Sequence, residues 1–219
     1  GAHRDGPRSF AGAAIVAMRK LTSWLAAWTL AFLLAGAACV GTAGADDGAD
    51  LLAAARHGDT AAVTALLNAG ADVDSRDNGR WTPLVWATAY LHEDTARVLI
   101  ENGADLEAIG RAGKNSGTAL MWAAKKPGSR AMVILLLGAG AKVDGTDQYG
   151  RTALMLAARH GRAGSIRILL DAGADIHAVN DLPRVRTALD VAQQYRGRRV
   201  VRLLRDAGAA DWGGLRPDR

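Results

Sequence analysis

One cysteine, Cys39, stands in the 219 residues of this chain. A lone cysteine excludes a disulfide framework and any cysteine-based metal site. Aromatic residues reach only 5%, and there are five prolines. Such a chain has to build its core from alanine and leucine, which favours helices packed closely. Serine is scarce beyond residue 46, limited to Ser75, Ser116, Ser129 and Ser165. No G-x-S-x-G, no H-E-x-x-H and no Cys/His pair occurs. Nothing assembles an active site, so the chain reads as non-catalytic, with no cofactor and no metal. The formal charge of +5 and a pI near 9.8 suggest an acidic partner at first sight. Residues 46–219, however, hold 23 Lys and Arg against 21 Asp and Glu. Bulk charge therefore gives little support for binding nucleic acid.

What the sequence does have is a repeat. Thr82-Pro83-Leu84, Thr118-Ala119-Leu120, Thr152-Ala153-Leu154 and Thr187-Ala188-Leu189 recur at intervals of 36, 34 and 35 residues. A closing triplet recurs with them, at Gly70-Ala71-Asp72, Gly103-Ala104-Asp105, Gly140-Ala141-Lys142, Gly173-Ala174-Asp175 and Gly208-Ala209-Ala210. Ala49 stands where the first unit would place its threonine. The unit from Thr152 to Asp175 predicts two short helices. Thr152 caps the first, Leu154, Leu156 and Ala157 line it, and Gly161 breaks it. The second begins near Ser165, carries Ile166, Ile168, Leu169 and Leu170, and ends at Gly173 in a left-handed cap. A helix pair of this size cannot bury both faces alone and needs neighbours.

These units resemble ankyrin repeats, whose period is about 33 residues and whose signature is T-P-L-H-x-A. The resemblance implies an all-α solenoid of five helix-turn-helix units with short β-hairpin fingers, spanning about residues 47–76, 77–109, 110–146, 147–180 and 181–211. Only the second unit keeps the proline, Pro83. Val85, Met121, Met155 and Asp190 replace the family histidine, which shifts the contact between repeats towards apolar packing. His57 and His160 occupy equivalent positions three units apart. With packed helices about 8–10 Å apart, they stand on the order of 30 Å from one another, too far to share a metal.

Ahead of the repeats, residues 1–17 show no pattern and read as an upstream extension of the frame. Met18-Arg19-Lys20 is a basic start, and an uncharged run follows from Leu21 to Ala45. Ala43-Gly44-Ala45 is a small-residue exit before Asp46-Asp47. Residues 18–45 thus look like a bacterial secretory signal peptide, giving a periplasmic or secreted protein that begins at Asp46. The alternative is retention of residues 21–40 as an inner-membrane anchor, since the run matches the ~20 residues that span a bilayer. Lipid attachment at Cys39 is disfavoured by Gly36, where such sites carry leucine. Residues 212–219 read as a tail.

The resemblance also implies a concave recognition surface made of finger tips and the ends of first helices. Carried over position by position, it comprises Arg56 and His57; Trp81, Ala89 and Tyr90; Lys125 and Lys126; Tyr149, Arg151, Arg159 and His160; and Gln194 and Tyr195. Two readings stand at this point: a basic and aromatic stripe for another protein, or charges that keep an alanine-rich solenoid soluble. Trp86 reads as packing between helices. The segment from Ala108 to Gly117 lacks the spacing of a phosphate loop. It reads as a long, mobile finger that touches the partner. Arg196, Arg198, Arg199, Arg202 and Arg205 read as a solvated capping face or an anionic contact. The partner is a protein of acidic or mixed surface, and the chain itself a monomer. Besides the anchored scaffold, an exported effector acting on a host protein fits the same features.

Overall fold

The computed structural model of the chain describes residues 45–112, 115–181, 187–195 and 197–210. The leader up to residue 44, the tail from 212, Arg186 and Arg196 lie outside them. Ten helices occur among the described residues, in pairs: α1 (Ala45–His57) with α2 (Thr60–Asn68), α3 (Pro83–Tyr90) with α4 (Glu93–Glu101), α5 (Ala119–Lys125) with α6 (Arg130–Gly138), α7 (Ala153–Arg159) with α8 (Ala163–Asp171), and α9 (Ala188–Gln194) with α10 (Arg198–Asp206). The first helices α1, α3, α5, α7 and α9 pack on one another in that order, and the second helices form a parallel row behind them.

Each first helix from α3 onward starts where the sequence places a threonine. The hydroxyls of Thr82, Thr118, Thr152 and Thr187 accept hydrogen bonds from the backbone N–H three residues on, at Val85, Met121, Met155 and Asp190. Those N–H groups have no partner inside the helix, and the cap removes that deficit. The Thr187 N–H in turn donates to the Asp190 carboxylate, completing a capping box. Val85, Met121 and Met155 are all buried, so three of the four histidine substitutes join the apolar interior.

The core follows from helix composition. In α7 every residue from Ala153 to Ala158 is buried, as befits a helix enclosed by a neighbour on each side and a partner behind. The terminal helix α10 differs: Val200 and Leu204 face inward, while Arg198, Arg199, Arg202 and Arg205 are exposed. Helix α8 starts two residues ahead of the expected Ser165, at Ala163. Gly58 sits in the left-handed region at φ 76°, and a Cβ there would fall 2.5 Å from the His92 ring. Glycine is thus required both by backbone and by the closeness of the second repeat.

Turn chemistry joins the repeats. Asp72, Asp105 and Asp175 each accept the N–H two residues on, so the recurring aspartates close turns. The next acidic residue reaches across the junction: Asp74 accepts from the Asp105 N–H, Glu107 from Lys142 and Asp144 from Asp175. The long finger carries a paired ribbon at its base, as the resemblance implies. β1 (Gly110–Ala112) and β2 (Asn115–Gly117) are antiparallel, with Gly110 opposite Gly117 and Arg111 opposite Ser116. Arg111 N–H donates to the Gly79 carbonyl, which ties the ribbon to the preceding finger.

Truncating the fully buried Leu154 to alanine should lower stability by about 2–5 kcal/mol, because a rigid stack refills the cavity poorly. Thr152→Ala, which only removes a cap, should cost about 1 kcal/mol. Urea unfolding followed by circular dichroism distinguishes the two.

Candidate functional site on the first-helix face

The C-terminal ends of the first helices and the bases of the fingers share one face. Its most prominent feature is a set of rings and cations in sequence. Arg56 lies 4.9 Å over the Trp86 ring, and Trp86 stacks on Trp81 at 4.3 Å between centroids. Trp81 meets Trp122 at 4.6 Å, and Trp86 stacks on Tyr90 at 5.9 Å. Lys126 stands 6.0 Å above the Tyr90 ring and Lys125 3.9 Å above Trp122. Further along, Arg151 covers Tyr149 at 4.9 Å and Arg159 covers Tyr195 at 5.1 Å. Cation–ring contacts of this kind are worth about 0.5–1 kcal/mol where exposed, so they hold side chains in place more than they hold the fold together.

Several residues of the stripe are where the repeat phase puts them. Arg56, His57, Arg159 and His160 are exposed, Tyr90 and Tyr195 each keep 49% of their surface open, and Lys126 and Tyr149 are half-buried. Ala89 is buried and Gln194 is exposed.

Besides Ala89, two candidates are not open contacts. Trp81 is buried, with its indole N–H bonded to the Arg111 carbonyl and its ring packed beside Val85 and Ala89. It is a floor under the ribbon, held there because the backbone of Gly110 passes close to its ring. Arg151 is buried as well. Its Nε donates to Asp147 Oδ2 at 2.8 Å, and Nη2 lies 2.6 Å from the same oxygen. Both residues occupy the position before the capping threonine, where the chain turns inward from the finger.

Trp86 packs against the cluster of Trp81, Val85 and Ala89, as a packing residue should. It is partly exposed and belongs to the ring ladder, with its N–H donated to Asp77 Oδ2. Trp122, at the same repeat position, is the other functional candidate that sequence reasoning missed. The signal was a large aromatic at the leucine position of two successive repeats. Beside α1, an open cleft of about 660 Å³ is lined in part by Leu52, Arg56, Asp72, Asp77 and Trp86.

Electrostatics single out the third and fourth repeats. Burial pushes the Lys125 ammonium down from 10.5 to about 8, Arg151 beside it adds to the effect, and Asp147 partly offsets it. His160 is likewise held below its ordinary 6.5, first by burial and then by Arg159 and Arg162. Among the described residues, no group of three His, Cys, Asp or Glu side chains gathers where it could hold a metal ion, and no helix is long and apolar enough to cross a membrane.

The family model for ankyrin repeats matches three times, over residues 29–110, 51–147 and 120–212. The chain is an ankyrin repeat protein. It is 37% identical over 108 residues to an ankyrin repeat, SAM and basic leucine zipper domain-containing protein 1 of Echinops telfairi, covering 48% of this chain and 22% of that one. It is 36% identical over 94 residues to the palmitoyltransferase Hip14 of Drosophila melanogaster, covering 43% and 14%. A putative palmitoyltransferase ZDHHC13 of Danio rerio is 30% identical over 152 residues, covering 69% and 23%. This ankyrin repeat protein thus spans less than a quarter of the length of these relatives. Ankyrin repeats are in general non-catalytic modules that bind other proteins.

The displaced lysine makes stability depend on pH. Between about 8 and 10.5 the unfolded chain holds the Lys125 proton and the folded chain has released it. Stability therefore rises with pH across that window, and the burden of the charged form is complete below it. Lys125→Met should be more stable than the parent at neutral pH, on the order of 1–2 kcal/mol once solvent access to the side chain is allowed for. The gap should close towards the upper end of the window in urea titrations at stepped pH.

Proposed function

We propose that this ankyrin repeat protein is a non-catalytic binding module of the bacterial cell envelope. It is exported by residues 18–45, matures near Asp46, and holds a partner protein of acidic or mixed surface on its first-helix face. The observation that carries this reading is the ladder of rings and cations from Arg56 to Tyr195, in which Tyr90, Tyr195, Arg56 and Arg159 remain exposed. Aromatic and arginine side chains held in advance lose little freedom on binding, which is what recognition hot spots require. The envelope location is supported by the basic start, apolar run and A-x-A exit. The rival is a scaffold held in the membrane by residues 21–40.

Affinity capture from envelope extract at about 0.15 M salt, where screening is physiological, tests the face. A partner retained by the parent chain should be lost on combining Arg56→Ala, Tyr90→Ala and Arg159→Ala. It should be kept when Arg198, Arg199 and Arg202 of α10 become alanine. The reverse pattern moves the site to the terminal repeat. For location, the intact mass of the protein recovered from a bacterial envelope should correspond to a chain starting at Asp46. A mass that retains residues 21–40 establishes the anchored form.

A further inference from the structure

On the first-helix face, three of the four junctions between repeats are bridged by attraction. Arg56 on Trp86 joins the first repeat to the second, Trp81 on Trp122 and Lys126 on Tyr90 join the second to the third, and Arg159 on Tyr195 joins the fourth to the fifth. The junction between the third and fourth has a backbone tie, Arg162 Nε donating to the Lys125 carbonyl at 2.9 Å, but its side-chain charges are different. There Lys125 faces Arg151, with Arg159 and Lys126 also close enough to repel it and Asp147 the one acid that attracts it.

Hydrogen bonding around Lys125, whose ammonium lies on the Trp122 ring and faces Arg151, is incomplete in a consistent direction. Trp122 Nε1 and Lys125 Nζ are buried with no hydrogen-bond acceptor, and Arg151 Nη2, though 2.6 Å from Asp147 Oδ2, makes no directed hydrogen bond to it. All three are donors. Asp147 is already engaged: its Oδ1 accepts from the N–H groups of Tyr149 and Arg151, and its Oδ2 takes the Arg151 Nε and the close approach of Nη2. Lys125, Arg151 and Asp147 together carry one uncompensated positive charge. Buried donors of this kind are costly unless an acceptor arrives, and here the acceptor has to be an anion.

We propose that Trp122, Lys125 and Arg151 form a receptor for a single carboxylate, presented by an aspartate or glutamate in an acidic segment of the partner protein. The charge matches: one negative charge neutralises the trio, whereas a doubly charged phosphate would exceed it. A carboxylate also offers two oxygens to donors that Asp147 leaves unsatisfied. The rim is suited to an extended segment, with Tyr149 half-buried on one side and Arg159 and His160 exposed on the other. This assignment rests on the first-helix face being the binding surface, and it adds where on that face the acidic side chain goes and what receives it.

The probe is a capped peptide of alternating glutamate and serine, beside its glutamine counterpart, titrated into the full chain. Binding is followed through the tryptophan indole N–H resonances in ¹⁵N spectra, with Trp122 assigned from Trp122→Phe. The glutamate peptide should move the Trp122 resonance, and the glutamine peptide should not. Because Lys125 titrates near pH 8, affinity should fall about tenfold between pH about 7 and about 9. The charged and titratable groups around Lys125 are Arg151, Asp147, Arg159, Lys126 and His160, of which His160 is itself held below its ordinary value. Lys125→Met keeps the aliphatic stem over the Trp122 ring. It should weaken binding at least tenfold near pH 7 and abolish the pH dependence.

Binding that shifts Trp86 but spares Trp122, and that ignores Lys125→Met, would overturn the receptor and leave the face intact. Shifts confined to α10 would overturn both. A Trp122 resonance unmoved at millimolar peptide, or one that responds more strongly to inorganic phosphate, would overturn the carboxylate assignment.

Discussion

Close approach of the first helices is the constraint on which the remaining structure depends. Ala87, Ala123, Ala124, Ala157 and Ala192 are fully or almost fully buried in that row, and a larger side chain at any of them would push neighbouring backbones apart. Short helices of seven or eight residues would fray if left alone. Here each is fixed at one end by a threonine cap and at its sides by the preceding and following helix. Because a repeat touches only its neighbours, the core is one continuous strip whose stability is shared along its length.

The same alanine row dictates where large side chains can go. With no room between the helices, Trp86, Trp122 and Tyr90 lie across their ends, and the cations settle on the rings. That leaves the face with more positive than negative groups. At the third-to-fourth junction the excess is concentrated, because Lys125 and Arg151 share a single carboxylate. The arrangement is less stable than an apolar filling would be, which is the kind of local conflict that function explains more readily than folding.

Much of the fold was legible because threonine and the Gly-Ala-Asp triplet are governed by backbone geometry: one caps, the other turns the chain. Their spacing placed all five helix pairs, including the first, where Ala49 supplies no cap. The candidate face was legible only in part. Arg56, Tyr90, Arg159, His160 and Tyr195 sit at helix ends whose orientation the repeat phase determines. Trp81 and Arg151 sit one residue before the cap, where the side chain can point out along the finger or inward beneath it. The outcome depends on an aspartate four residues earlier and on the ribbon above, which are contacts that periodicity does not encode. The ribbon was expected only through the resemblance, since Gly-Arg-Ala and Asn-Ser-Gly carry little strand propensity; pairing and the bond to Gly79 override it.

Uneven junctions also give this face an uneven charge. Helices α5 and α7, which meet where Lys125 faces Arg151, pack on one another like the rest of the row, and Arg162 Nε holds the Lys125 carbonyl across the junction. The surplus of positive charge is therefore fixed near the middle of the stack, and an acidic segment approaching the face would be drawn there before any contact forms.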